Sequence, residues 1–278
     1  MAALVAEEEL SITDPILALS LTDLASRTRW SRLSDRVFYA ASTMKVAVLV
    51  EVFRQHEAGL LDLDAMTAVA TTFPSSVGGS PFTLSPDDVD PELVALGGSA
   101  VSIRHLVERM ITGSSNEATN CLLQLVGLDG INPLLRRLGA TRMRVERLLG
   151  DRRAQAAGRD NLVTTSDLSR LMARIANMTA AGRDSCREML AILERQEHRL
   201  EIPAALPAGA RVANKTGWIE GILHDTAVVW PTDAAPYVLS VCTQGYPTQE
   251  EARQAIRAVS ERAWERRERF PGSGGPLP

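Results

Sequence analysis

Short apolar runs open and close the chain, and long stretches of helical periodicity lie between them. Residues 15–21 (P-I-L-A-L-S-L) and 36–40 are apolar runs flanked by polar residues, which predicts two strands joined by a turn over 27–35. Residues 44–58 are apolar at most positions, so they read as a buried helix closed at Gly59, where a left-handed cap is easy. Residues 71–99 are rich in Pro, Gly, Ser and Asp and predict a long surface excursion. Helical patterns return over 101–111, 116–126, 131–138, 165–177 and 183–198. Three β-rich runs follow at 211–216, 223–230 and 237–243, with Gly221 and residues 231–236 as turns. Residues 249–269 make a last amphipathic helix, and 271–278 are expected to be a disordered tail. The first and last segments are therefore expected to share an antiparallel sheet with flanking helices, an α/β (α+β) fold. On this reading residues 11–270 form one domain, with an α/β lobe from 11–60 and 204–270 and an all-helical lobe from 61–203. No internal repeat is visible.

Composition narrows the function classes. The chain has 278 residues, 45% of them hydrophobic, which is ample for a buried core. A formal net charge of -4 and no basic block argue against a nucleic-acid partner. No apolar run is long enough to cross a bilayer, and residues 1–10, with Glu7, Glu8 and Glu9, lack the basic start and apolar middle of a signal peptide. The chain as given is expected to be soluble, either cytoplasmic or exported with a signal removed, and monomeric. Cys121, Cys186 and Cys242 are odd in number and widely spaced, so they read as small core residues. His56, His105, His198 and His224 show no ligand spacing, so neither a metal nor a cofactor is expected.

The lysine count changes the picture most. Of 30 Lys plus Arg residues only Lys45 and Lys215 are lysines. Arginine stays protonated in proteins, whereas a buried lysine can lose its proton and act as a base, so the two survivors mark places where arginine will not serve. Lys45 closes Ser42-Thr43-Met44-Lys45 at the start of the apolar helix, where a hydroxyl and an amine three residues apart share one face. The helix dipole and the apolar run behind it favour the neutral amine that a general base requires. Alone, this pattern is equally a Ser N-cap followed by a surface lysine. Ser114-Ser115-Asn116 lies between two helices and alone reads as a capping turn. Lys215-Thr216-Gly217, at the end of a predicted strand, is the more specific signal.

In this order S-x-x-K, S-x-N and K-T-G resemble the signature set of class A β-lactamases and penicillin-binding proteins. The likeness runs from about Ser20 to the C-terminal helix and includes residues 161–168, similar to the family segment that starts the helix after the Ω loop. The resemblance implies a serine β-lactamase-like fold and a small-molecule substrate whose amide carbonyl is attacked by Ser42, with Lys45 as the activating base. It implies that Ser114 relays a proton to the departing nitrogen, that Asn116 orients the substrate amide, and that Lys215 and Thr216 of the K-T-G turn, closed by Gly217, hold a substrate carboxylate. The backbone N–H groups of Ser42 and Trp218 would form the oxyanion hole.

Three departures from the family pattern matter. Ser115 replaces the aspartate of S-D-N. Matching Glu146-Arg147 to the family's acidic-arginine pair puts Leu149 where the deacylating glutamate would stand. Asp151 is then the nearest carboxylate that could substitute, with Glu146 and Asp160 behind it, unless Asp151 is simply a solvated loop residue. Deacylation is accordingly expected to be slow. Third, His224-Asp225 stands where many class A enzymes have an arginine for the substrate carboxylate. His224 would bind an anion only when protonated, or else is hydrogen-bonded within the sheet, and Asp225 is expected to pair with a nearby arginine. The resulting expectation is β-lactam hydrolysis through a Ser42 acyl-enzyme. The alternatives are a carboxylesterase or D-amino-acid peptidase of the same fold, or a penicillin-binding protein acylated without turnover.

Overall fold

Strand β1 (Ile16–Asp23) packs Leu17, Leu19 and Leu21 into one apolar cluster and Ile16 and Ala18 into another, the two-sided burial expected of a strand inside a sheet. The computed structural model describes residues 15–96 and 98–273, so the expectations for 1–14 and 274–278 lie outside the described residues. After β1 the Asp23 carboxylate accepts from Ala25 N at 3.0 Å and Ser26 Oγ at 2.6 Å, and Arg27 takes a left-handed φ of 63°. This turn returns the chain as β2 (Arg29–Arg32), an exposed edge strand. The expected partner, 36–40, is elsewhere: β3 (Phe38–Tyr39) pairs with residues 162 and 163. An R-W-S-R edge strand buries nothing, so it leaves no apolar run to read.

A single 3₁₀ turn (Ala41–Met44) leads into α1 (Lys45–Glu57), buried along its first nine residues as its composition predicts. The excursion over 71–99 is more structured than its polar composition predicted. β4 (Met66–Ala68) is followed by a hairpin of β5 (Thr72–Pro74) and β6 (Pro81–Thr83), then by α2 (Pro91–Ala95) and β7 (Ala100–Ser102), which pairs back on β4. Phe73, Leu84 and Leu93 are the buried side chains that hold it to the core. Helices α3 (Ile103–Ile111), α4 (Asn116–Val126) and α5 (Leu128–Leu138) follow. After α6 (Arg152–Ala156) and β8 (Leu162–Val163) come α7 (Thr165–Ala176) and α8 (Arg183–Glu194), the latter four residues shorter than its pattern.

The last three strands, β9 (Arg211–Ile219), β10 (Ile222–Trp230) and β11 (Tyr237–Gln244), complete an antiparallel sheet of order β2-β1-β11-β10-β9. First and last segments do share the sheet. One face, with Leu223, Ala227, Leu239 and Val241, is covered by α9 (Gln249–Glu265), whose entry is fixed by a Thr248–Glu251 capping box. The other face meets α7 and α8, so β10 and β11 are buried on both sides and read as almost continuous apolar runs. Cys121, Cys186 and Cys242 are free and buried, as read from their spacing. No helix among the described residues is long and apolar enough to cross a membrane. Gly272 N donates to Asp23 Oδ2 at 2.7 Å, so the described start of the expected tail is tied to the first hairpin.

Candidate active site

The site is assembled where the start of α1, the start of α4 and strand β9 meet. Ala41, with a φ of 45°, turns the chain into the 3₁₀ turn, and Thr43 secures that turn by donating from N and Oγ1 to Ala40 O at 3.1 and 2.6 Å. Ser42 is half-buried within it. β9 passes close behind: a Cβ added at Gly217 would lie 2.6 Å from Ser42 N and 2.8 Å from Thr43 N. Only glycine lets the strand come this near, the physical reason for the third residue of K-T-G. Gly217→Ala is expected to push β9 away and lower the rate of Ser42 acylation about 100-fold, measured by stopped-flow, with the circular dichroism spectrum unchanged.

Lys45 and Lys215 are both fully buried. Lys45 Nζ lies 2.6 Å from Ser114 O, 3.2 Å from Ser114 Oγ and 2.8 Å from Asn116 Oδ1. Lys215 Nζ reaches Ser114 Oγ at 3.0 Å and Thr216 O at 2.8 Å. The Ser114 hydroxyl thus sits between two amines. Burial pushes the Lys45 amine well below the ordinary lysine value and the Lys215 charge pushes it further, against the opposing pull of Glu117, Asp88 and Asp90. Lys215 is brought down to about 7 by burial, opposed by Asp225 and Glu201. No carboxylate of the 146–161 segment is among the main influences on Lys45. Among the described residues, Ser42 Oγ makes no hydrogen bond to Lys45, although both belong to one helical entry.

Local structure explains the placement of Ser114 and Asn116. Ser115 is the N-cap of α4, accepting from Ala118 N at 3.1 Å, so the capping reading of this motif holds for its middle residue. Ser114 precedes the cap at a φ of 59°, which leaves both its carbonyl and its hydroxyl within reach of Lys45. Asn116 spends Oδ1 on Lys45, and its Nδ2 has no partner among the described residues.

The geometry corrects three expectations and decides between the two readings of His224. Thr216 is almost fully buried, and its Oγ1 faces His198 O at 3.3 Å and Asp225 Oδ1 at 3.1 Å, so its hydroxyl is turned away from a substrate carboxylate. His224 is fully buried, with Nε2 3.0 Å from Tyr39 O and Nδ1 accepting from Thr243 N at 3.2 Å. Burial holds its pKa down to about 4, so it is a neutral strut between the sheet and the strand that leads into the Ser42 turn and not an anion site. Asp225 pairs with no arginine; it accepts from Ile202 N, Asn214 Nδ2 and Thr216 Oγ1, and burial, then the Glu201 charge, raise it to about 7. Asp151 is the N-cap of α6 and is nearly fully buried, not solvated. Its Oδ1 accepts from Ser75 Oγ and Ala154 N and its Oδ2 from Ser76 N and Oγ, all within 3.1 Å, which uses its acceptor capacity on the loop instead of a water. Asp160 is committed to Arg147 at 2.9 Å, and Glu146 Oε2 accepts from Asp160 N at 3.4 Å.

Three residues that sequence reasoning passed over organise the same region. Asn120 accepts from Leu149 N at 2.8 Å and donates to Leu149 O at 2.9 Å, so the backbone at Leu149 is clamped through both of its polar groups. Asn161 binds Glu146 N, Arg147 N and Arg147 O through its side chain and accepts from Ala40 N through its carbonyl, which ties the loop to the turn bearing Ser42. His198 stacks edge-on against Trp218 at 4.8 Å. A buried amide making reciprocal backbone bonds has no periodicity, so none of these carries a signal in one sequence.

The comparisons with known proteins follow the same lines. A family described as the beta-lactamase enzyme family matches residues 13–266. The chain is 30% identical over 59% of its length to a carbapenem-hydrolyzing beta-lactamase KPC from Klebsiella oxytoca, and the match spans 58% of that relative. A beta-lactamase structure from Sphaerobacter thermophilus superposes with a TM-score of 0.80 at 26% identity, covering 93% of this chain and 94% of the other. PBP-A, solved with one leucine changed to glutamate as an acyl-enzyme with penicillin G, shares the fold at 24% identity and a TM-score of 0.74, covering 92% and 91%.

Proposed function

Because the chain belongs to the beta-lactamase enzyme family, we propose that it is a serine hydrolase that opens a β-lactam amide on Ser42 and releases the acyl group slowly. The observation that carries this reading is the buried chain of Lys45 Nζ, Ser114 Oγ and Lys215 Nζ, with links of 3.2 and 3.0 Å, at the turn that bears Ser42. A neutral Lys45 takes the Ser42 proton as Oγ attacks the carbonyl. Lys215 donates to Ser114 Oγ, which frees the Ser114 hydroxyl proton for the departing nitrogen. Asn116 Nδ2 meets the substrate amide, and the N–H groups of Ser42 and Trp218 receive the developing oxyanion. Lys215 alone supplies the charge for a substrate carboxylate, since His224 is neutral. The sheet and helical parts act as one catalytic domain.

Slow release is the finer part of the proposal, supported by Leu149 and by the engagement of Asp151. Asp151→Asn is expected to cost about 1–3 kcal/mol of stability, because an amide N–H₂ would face the donors now satisfied. Its deacylation rate should match the parent's; a slower rate would return Asp151 to the water-positioning role.

The test is intact-protein mass spectrometry after penicillin exposure. A Ser42-dependent adduct that persists for minutes is expected, and its absence, or its survival in Ser42→Ala, removes the proposal. A chromogenic cephalosporin beside a p-nitrophenyl ester addresses the esterase alternative: turnover of the ester alone would decide for it.

A further inference from the structure

On the face of β1 covered by α7, a cavity of about 270 Å³ opens between the β1–β2 hairpin and the second half of α7. Thr22, Asp23, Arg27, Arg29, Arg170 and Arg174 line it, and none of them belongs to the site above. We propose that this cavity binds a phosphate group, either free or carried by a small ester.

Four arginines line the cavity against one carboxylate, and that carboxylate is committed elsewhere. Asp23 accepts from Ala25 N, Ser26 Oγ and Gly272 N at 3.0, 2.6 and 2.7 Å. Burial raises its pKa, but those donors outweigh burial and hold it below the ordinary aspartate value, so it stays ionised and occupied by them. Arg170 has a distant partner in Asp167 at 3.9 Å and also donates to Gly139 O. Arg27, Arg29 and Arg174 have no ion pair and no side-chain hydrogen bond among the described residues. The like charges feel one another: Arg29 is held below the ordinary arginine value by partial burial and then by the Arg170 charge. A protein gains nothing from facing arginines with no anion between them, so the arrangement is one that a bound anion completes.

A second observation points the same way and owes nothing to charge. Thr22 is 5% exposed, and its Oγ1 is a buried oxygen without a hydrogen-bond partner. Thr22 is paired directly with Arg29 in the β1–β2 ladder, so both side chains leave the same face of the sheet. An orphaned hydroxyl beside unpaired guanidiniums is a donor set without its acceptor. Donors arriving from a strand, a turn and a helix suit an anion with oxygens in three dimensions, which phosphate offers and a planar carboxylate does not. The cavity lies below the range that encloses a drug-sized molecule, so it holds the phosphate and leaves the rest of an ester outside.

Isothermal titration of the whole chain at constant ionic strength tests this with inorganic phosphate, glycerol 3-phosphate and acetate. Saturable millimolar or tighter binding of at least one phosphate is expected, about tenfold tighter than acetate; whichever phosphate binds more tightly identifies the free or esterified source. Arg29→Gln with Arg174→Gln, both at exposed positions, should weaken phosphate about tenfold or more. Thr22→Val keeps the shape and removes the orphan, so it should leave thermal stability unchanged or higher while weakening phosphate about threefold to tenfold. No saturable binding, or affinities unmoved by the arginine pair and by Thr22→Val, overturns the proposal.

Discussion

Lys45→Arg is expected to slow acylation of Ser42 by about three orders of magnitude, the middle of the range for loss of a general base. Lys45 is fully buried and makes three polar contacts, to Ser114 O, Ser114 Oγ and Asn116 Oδ1. Burial and the nearby Lys215 charge both favour the neutral amine, which has a lone pair to accept the serine proton. Arginine keeps its proton under any working condition, so the variant fills the space and loses the base. Stopped-flow acylation with a chromogenic cephalosporin reads the effect, and a melting curve separates it from the cost of burying a permanent charge. A rate within tenfold of the parent would mean that another group takes the proton.

The two lysines also shape the pH profile. Acylation of an anionic β-lactam should rise as Lys45 deprotonates and fall as Lys215 loses its charge near pH 7, the limb shifting upward once a bound carboxylate favours the Lys215 ammonium. For stability the sign is opposite to that falling limb. A lysine whose folded pKa is depressed binds fewer protons folded than unfolded, so between about 7 and the ordinary value of 10.5 Lys215 makes the fold more stable as pH rises. Denaturant melts at pH 7 and pH 9 read that slope.

Leu149→Glu is the second large expectation: decay of the penicillin adduct should accelerate about 10- to 100-fold, up to the lower end of the range for a positioned base. Asn120 holds the Leu149 backbone by both N and O, so changing the side chain should leave the main chain in place. Leu149 is only 6% exposed, and burial would raise the new carboxyl's pKa toward the working range of a base. The gain stays below the full range because the groups that would hold the water have not been selected together. A time course of adduct mass measures it; an unchanged half-life would show that release is limited by something other than a missing base.

The parts of this fold that were legible are those whose physics is local. The apolar start of α1, the two-sided burial of β10 and β11, and three motifs whose order alone narrows the family are all patterns of neighbouring residues. β2 was missed because four exposed residues bury nothing, and β5 and β6 because three residues are too few to show a period. The role of His224 depends on Tyr39 O, 185 residues away, and that of Asp225 on Thr216 and Ile202. Along the chain Asp151 reads either as a substitute carboxylate or as a solvated loop residue, and its cap role stays hidden because its partners, Ser75 and Ser76, lie across the fold in a stretch that looks like plain loop. Side chains that act through distant backbone atoms are invisible to any window along the chain.

The pairing of β1 with β11 along its whole length sets a timetable for synthesis. The first strand leaves the ribosome roughly 10–40 s before its partner at ordinary elongation speeds. Until then the ladder edge opposite β2 stays open, a condition that invites chaperones to hold it. The turn bearing Ser42 waits as well, since β9, the strand that backs it, follows it far along the chain. The nascent chain is therefore expected to complete that turn only once β9 has been made and the sheet closes.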